Sequence, residues 1–251
     1  MVKNWYTAGG MALLEGKHAL VVGGSGGIGR ALSLSLASPG ARLCIHGGHD
    51  GNKLESTAHD ARELGAEVTT HLEALSGPEQ AANLLEAAGQ VDVLVVAFGP
   101  WLEAPIAGMG VSEWSRMVSL NLTLPGVLAS MVLPGMAERN WGRIVFFGGP
   151  RSDRLEGYRR IGAYAGAKAG LASLTRSIAL QYAASNIRCN MICPGYVDTE
   201  YYSDSQRARA RAGSPAGRLV TVGEIASLAR YLLSDEADAI NGAIIPVDFG
   251  F

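Results

Sequence analysis

A chain of 251 residues with 48% hydrophobic content is long enough to bury a substantial core, and it is expected to fold as one α/β domain over 1–251. Its formal net charge of -2, with both signs spread along the sequence, creates no field that would gather nucleic acid or an anionic membrane, so small-molecule chemistry is the expectation. The three cysteines, Cys44, Cys189 and Cys193, lack metal-ligand spacing and lie in or beside apolar runs, which predicts buried free thiols and no metal.

After an N-terminal extension at 1–16, short β-branched runs alternate with longer amphipathic segments. Strands are predicted at His18–Val22, Arg42–His46, Glu67–Thr70, Asp92–Ala97, Arg143–Phe147, Ile187–Ile192 and Ala243–Val247. Helices are predicted at 28–38, 51–64, 78–88, 111–138, 162–185 and 222–233, with Pro39-Gly40 stopping the first. Several strands are continuously apolar, as strands covered on both faces must be. With right-handed crossovers this order predicts a doubly wound Rossmann-like fold, a seven-stranded parallel sheet with helices on both faces. The segment 200–217 breaks the rhythm. Rich in Ser, Arg, Ala and Gly, with Arg207, Arg209 and Arg211 at alternate positions, it reads as a mobile insertion shaping a substrate pocket.

Gly23-Gly24-Ser25-Gly26-Gly27-Ile28-Gly29 follows the first strand and opens the first helix, the context in which a glycine-rich run means phosphate binding. Gly24, Gly26 and Gly29 satisfy one dinucleotide pattern, and Gly23, Gly27 and Gly29 satisfy G-x-x-x-G-x-G. In either register the missing Cβ atoms let a pyrophosphate approach the free N–H groups of a helix start. The second strand ends in His46-Gly47-Gly48-His49-Asp50, where no acidic residue stands directly at the strand end. Nothing there repels a 2'-phosphate, and His46, His49 or Arg30 would meet one, which favours NADP(H) with NAD(H) as the alternative. Asp50 reads as a helix N-cap, or else as a ribose contact.

Tyr164 and Lys168 stand four residues apart in the helix predicted at 162–185 and so project from one face. A nearby ammonium favours the phenolate and lowers a phenol's pKa of ~10, making the pair a tuned acid/base. An ordinary surface contact has the same spacing, so the pair acquires meaning only beside the other motifs.

The terminal glycine pattern and the Tyr-x-x-x-Lys pair, about 140 residues apart, together resemble the short-chain dehydrogenase/reductase family over nearly the whole chain. Asn121 in Ser119-Leu120-Asn121-Leu122 matches the family's catalytic Asn, and Asn190-Met191-Ile192-Cys193-Pro194-Gly195 its Asn-x-x-x-Pro-Gly turn. Val197 and Thr199 match positions that contact the nicotinamide carboxamide. The resemblance implies hydride transfer between a nicotinamide and a ketone or secondary alcohol, with 3-oxoacyl-type reductases as the nearest kind. Tyr164 would exchange the proton on oxygen, Lys168 would lower its pKa and hold the nicotinamide ribose, and Asn121 would position a relay water. Cofactor contacts implied in all are Gly23, Ser25, Gly27, Ile28, Gly29, His46, Ala97, Gly99, Tyr164, Lys168, Pro194, Gly195, Val197 and Thr199. A homotetramer or homodimer is also implied.

Four departures cluster where the cofactor and the carbonyl would lie. Val22 replaces a Thr before the first glycine; Val96-Ala97-Phe98-Gly99 replaces Asn-Asn-Ala-Gly; Ala74 stands where an acid often meets the adenine; and Gly149 stands where the family has its catalytic Ser. Ser152, twelve residues before Tyr164, is the candidate replacement, with Arg151 or backbone N–H groups of the glycine-rich loop as rivals. Arg151, Arg154, Arg159 and Arg160 in the same segment either solvate it or recognise an anionic or acyl-carrier substrate. Trp101, Leu102, Met109, Tyr196, Tyr201 and Tyr202 are candidates for an apolar pocket wall. The alternative functions are a non-catalytic nucleotide-binding sensor or scaffold, motivated by the lost Ser, and a non-redox lyase on the same fold. No apolar run approaches the ~20 residues of a membrane span and residues 1–15 lack a signal-peptide core, so no membrane partner and a cytoplasmic location are expected.

Overall fold

Apolar strands alternating with amphipathic helices fold here into a parallel sheet, which the computed structural model describes for residues 13–250. Most of the N-terminal extension expected at 1–16 lies outside these residues. The strands and helices are β1 (His18–Val22), α1 (Gly27–Leu36), β2 (Arg42–Gly47), α2 (Gly51–Glu63), β3 (Glu67–Leu72), α3 (Ala81–Ala88), β4 (Val93–Val96), α4 (Val111–Val118), α5 (Leu124–Glu138), β5 (Gly142–Phe147), α6 (Gly162–Tyr182), β6 (Ile187–Pro194), β7 (Val197–Asp198), α7 (Asp204–Gly213), β8 (Val220–Thr221), α8 (Val222–Leu233) and β9 (Ile244–Val247).

The main sheet runs β3-β2-β1-β4-β5-β6-β9, all parallel, as the alternation predicts. Every residue of β4 and β5 is buried, because helices cover both faces and leave no side for polar alternation. On one face Leu32, Leu36, Leu54, Ile225 and Leu232 pack on Val21, Ile45, Val95 and Val145. On the other, Leu84, Leu124, Leu128 and Leu171 pack on Leu20, Leu94, Ile144 and Phe146. The chain order reverses at β1, which lies between β2 and β4. The crevice beyond the carboxyl ends of β1 and β4 is therefore the switch point where ligands bind in such sheets.

Two elements differ from expectation. The segment 111–138 is a continuous rod, but Ser119–Thr123 forms a π-helical turn between α4 and α5. By composition this rod is apolar enough to cross a bilayer, with a mean hydropathy of 1.5 in its most apolar stretch, although from the sequence no run of that length was expected. Half of the stretch is buried, with Leu120, Leu124, Leu128 and Leu133 in the core. Within 200–217, expected as an irregular mobile insertion, Asp204–Gly213 instead form α7. Ser203 and Gln206 close a capping box at its start, and Arg207 ties it to Asp198 and Asp204. The helix was concealed by its composition, since it is mostly polar and only Ala210 is buried. The short pair β7–β8, too brief to leave a periodic signal, anchors this segment beside the main sheet.

Candidate active site

The glycine turn begins where β1 leaves the sheet. Gly23 and Gly27 adopt φ of +77° and +51°, in the left-handed region that side chains disfavour. A Cβ on Gly29 would collide with the Gly23 carbonyl, so only glycine lets α1 start this close to the strand. Ile28 packs into the core beneath, and the Ser25 carbonyl accepts from the Thr57 hydroxyl. The N–H groups facing the crevice have an anionic partner from the chain itself: Gly27 N–H donates to Glu200 Oε1 at 3.0 Å. The Tyr201 ring covers the same turn, its hydroxyl beside Gly26 and its Cε2 2.9 Å from a Cβ placed on Gly27. The turn thus receives an anion and a flat ring together, which fits the pyrophosphate of a dinucleotide once this loop moves aside. Nothing in the residue pattern marked Glu200; its position directly after Thr199 was the available signal.

His46 was expected to meet a 2'-phosphate, and the structure corrects this. The side chain turns inward, 1% exposed, accepting from Gly23 N–H at Nδ1 (3.0 Å) and meeting the Glu73 carbonyl through Nε2 (2.8 Å). Burial pushes its pKa below the ordinary histidine value. Arg30, named with it, pairs with Asp60 across the helices, and Asp50 caps α2 by accepting from Lys53 N–H. Beside them an open pocket of about 440 Å³ is lined by Ser25, Arg30, Asn52, Lys53, Ser56 and Glu200, among others.

The second half of the site lies past β4 and β5. Tyr164 and Lys168 share one face of α6, both buried. Lys168 Nζ donates to the Phe147 carbonyl at 2.7 Å, and its pKa is pushed down to about 8 by burial. The expectation that Lys168 lowers the Tyr164 pKa is reversed: burial pushes the phenol well above its ordinary value, and the ammonium lies 5.7 Å from the ring centroid. The π-helical turn carries Asn121, fully buried, whose amide donates to the Pro100 carbonyl at 3.0 Å. Its Oδ1 is buried and, among the described residues, lacks a hydrogen-bond partner. A Cβ on Gly99 would collide with this Oδ1 and lie 3.0 Å from Lys168 Nζ, so Gly99 opens the space where the two groups converge.

Gly149 lies against the phenol, as the family comparison of positions implied. A Cβ there would be 2.6 Å from Tyr164 Cε1 and 2.7 Å from its hydroxyl. Trp101 covers the ring with centroids 4.7 Å apart, itself half exposed toward the crevice. Ser152, the candidate replacement for the missing hydroxyl, accepts at its Oγ from Gly149 N–H at 2.9 Å, which closes the turn and leaves its own O–H as a donor. That contact also engages the Gly149 N–H, the nearest of the backbone donors considered as a rival. Arg151 has φ of +57° and reaches Glu156, while Arg154 pairs with Asp153 and Glu156, and Arg160 with Glu103. These three expected anion contacts are thus neutralised locally, whereas Arg159 is exposed.

From β6 the chain passes Pro194 and Gly195 toward the crevice. A Cβ on Gly195 would lie 2.6 Å from that of Asp248, so the close approach of the C-terminal segment requires glycine. Val197 is buried in the core, and Thr199 Cγ2 reaches within 3.6 Å of a Cβ on Gly27. Tyr196 packs on Gly213 at the end of α7, within the segment expected to shape the substrate pocket. Ala97 continues the sheet by donating to the Val22 carbonyl.

Residues 23–251 match the family described as enoyl-(acyl carrier protein) reductase. The 3-oxoacyl-(acyl-carrier-protein) reductase of Escherichia coli K12 is 34% identical over 245 residues, covering 94% of this chain and 97% of that relative. A D-beta-hydroxybutyrate dehydrogenase of Cupriavidus necator is 30% identical over 258 residues, covering 95% and 99%. The crystal structure of a 3-oxoacyl (acyl-carrier-protein) reductase from Agrobacterium tumefaciens C58 with NADP bound superposes with a TM-score of 0.86 at 27% identity, covering 96% of each chain. Sequence and fold agree along almost the whole length, and the chain belongs to the short-chain dehydrogenase/reductase family of nicotinamide-dependent oxidoreductases.

Proposed function

We propose that this enzyme interconverts a ketone and a secondary alcohol, with 3-oxoacyl compounds as the favoured class and NADP(H) preferred over NAD(H). The observation that carries the reading is the convergence of a buried phenol, a buried ammonium and a buried amide oxygen beside an anion-accepting glycine turn. When bound, the nicotinamide supplies or accepts the hydride. Gly23, Ser25, Gly27, Ile28 and Gly29 would hold its pyrophosphate, and Lys168, Pro194, Gly195, Val197 and Thr199 its nicotinamide half. Relatives named as 3-oxoacyl reductases support the substrate class. The NADP(H) preference is supported by the end of β2 at Gly47, where no carboxylate stands, and by Lys53 and Arg30 in the pocket that Asp50 and Glu200 also line.

Tyr164, held protonated by burial, donates from its hydroxyl to the carbonyl oxygen as negative charge develops there. Lys168 keeps its proton at neutral pH and compensates the phenolate that remains, with the Phe147 carbonyl fixing its position. Asn121 offers Oδ1 to a water that returns the proton. Trp101, half exposed against the phenol, and Tyr201, exposed over the glycine turn, would contribute to the substrate pocket wall. The cytoplasm and a homotetrameric or homodimeric state complete this reading. A second reading, a nucleotide-binding sensor without turnover, is favoured by Gly149, which places no hydroxyl beside Tyr164.

Titration with NADPH and NADH, followed by absorbance decay at saturating cofactor on a panel of ketones and acyl thioesters, separates the two. The reductase reading expects tighter NADPH binding, and turnover that falls by roughly 10²–10⁴-fold in Tyr164→Phe. Binding with no turnover on any carbonyl would establish the sensor instead.

A further inference from the structure

We propose that His46 is a positioning residue for the cofactor turn, its imidazole held as the Nε2–H tautomer so that Nδ1 fixes the Gly23 amide. The inference rests on the reading that this turn holds a nicotinamide dinucleotide, and it assigns to His46 a task different from phosphate contact.

The turn opens on two successive glycines, Gly23 at φ +77°, and such a backbone has many conformations to lose. Something must hold it. On the β4 side the neighbouring side chains, Ala97 and Phe98, carry no polar group, and a Cβ placed on Gly23 would lie 3.1 Å from that of Phe98, while from α1 the Ser33 hydroxyl donates to the Gly24 carbonyl. On the β2 side both glycine amides end on one residue: Gly23 N–H on His46 Nδ1 at 3.0 Å, and Gly24 N–H on the His46 carbonyl at 2.8 Å. The other ring nitrogen lies 2.8 Å from the Glu73 carbonyl, which can only accept. Nε2 therefore carries the proton and Nδ1 presents its lone pair. Glu73 is itself fixed, donating its N–H to Gly47 and holding Gln80, Asn83 and His71 on its carboxylate. The imidazole thus links a rigid strand end to the turn whose following amide, that of Gly27, faces the anion site.

Protonation would break this link, because an Nδ1–H would confront the Gly23 N–H, donor against donor. The titratable groups facing the ring are His71, with centroids 6.2 Å apart, and Glu73. Burial and His71 disfavour the imidazolium, while the Glu73 carbonyl and carboxylate favour it, and the net effect keeps the ring neutral at physiological pH. Loss of the tether on acidification therefore begins below the ordinary histidine pKa.

The test compares NADPH dissociation constants between pH 5 and 8 for the wild type, His46→Leu and His46→Asn, whose amide oxygen restores an acceptor near the Nδ1 position. Imidazole ¹⁵N NMR of the cofactor-free wild type reads the tautomer directly. His46→Leu is expected to bind roughly tenfold more weakly, with kcat at saturating cofactor little changed, whereas His46→Asn stays within about threefold of wild type. Wild-type affinity should fall at the acid end, that of His46→Asn should not, and NMR should show Nδ1 without its proton. A wild-type-like His46→Leu, a His46→Asn as weak as His46→Leu, or an Nδ1–H tautomer would overturn the assignment. Should the wild type bind neither nucleotide, the cofactor reading falls first and the inference falls with it; should His46→Leu fail to fold, the Asn variant, the pH series and the NMR still decide.

Discussion

Gly149 shows how one missing side chain sets the chemistry around it. The Tyr164 ring lies between the Gly149 backbone and the Trp101 indole, so a methyl at 149 must push the phenol out of its place. Displacement of a proton donor by a fraction of an ångström is costly, and Gly149→Ala is expected to lower kcat by roughly 10²-fold. Cofactor affinity should be unaltered, and steady-state kinetics beside a nucleotide titration check both; equal turnover would mean that the ring yields freely. Tyr164, Lys168 and Asn121 were legible in the sequence because their order and spacing are features of the chain itself. The direction of the Tyr164 pKa was not. Spacing suggests a cation that pulls it down, but burial of the ring pushes it up, while Lys168 directs its ammonium to Phe147. His46 was misassigned for a similar reason, since strand position identifies a side chain's neighbourhood and not its hydrogen-bond partners.

The loop from Thr199 into α7 acts as an element, bringing Glu200 and Tyr201 onto the glycine turn. A carboxylate on the N–H groups of a helix start competes with any phosphate for the same donors and the same dipole. Glu200→Gln is therefore expected to tighten NADPH binding by roughly two- to fivefold, as read by fluorescence titration. Unchanged or weaker binding would show that the carboxylate does not compete. The π-helical turn at Ser119–Thr123 is a second device of this size. Its extra residue per turn lets a core helix, buried through Leu120 and Leu124, also carry a fully buried Asn121 at its break. The amphipathic pattern predicted the whole rod at 111–138 but not the turn, because one residue of slippage barely disturbs a helical pattern.

At the scale of the molecule, the sheet places the glycine turn after β1 and the Asn121–Tyr164–Lys168 group past β4 and β5, on one carboxyl edge. The outer helices also leave apolar side chains uncovered: Val111, Trp114 and Val118 on α4 are 84%, 39% and 37% exposed, and Leu180 on α6 is 84% exposed. Leu171 and Ile178, which helical spacing alone could have turned outward, are instead buried on the chain's own sheet. A homotetramer or homodimer is expected by light scattering at micromolar concentration, and a monomer there would refute it. Strand positions, the glycine turn and the Tyr-Lys pair followed from the sequence alone, because apolar periodicity, absent Cβ atoms and i,i+4 spacing act over a few residues. The tertiary structure alone decided that His46 grips an amide 23 residues away, that Glu200 reaches one 173 residues away, and that Trp101 covers Tyr164. Those contacts join segments distant in the chain, and only the packed fold brings them within reach of a hydrogen bond or a ring face.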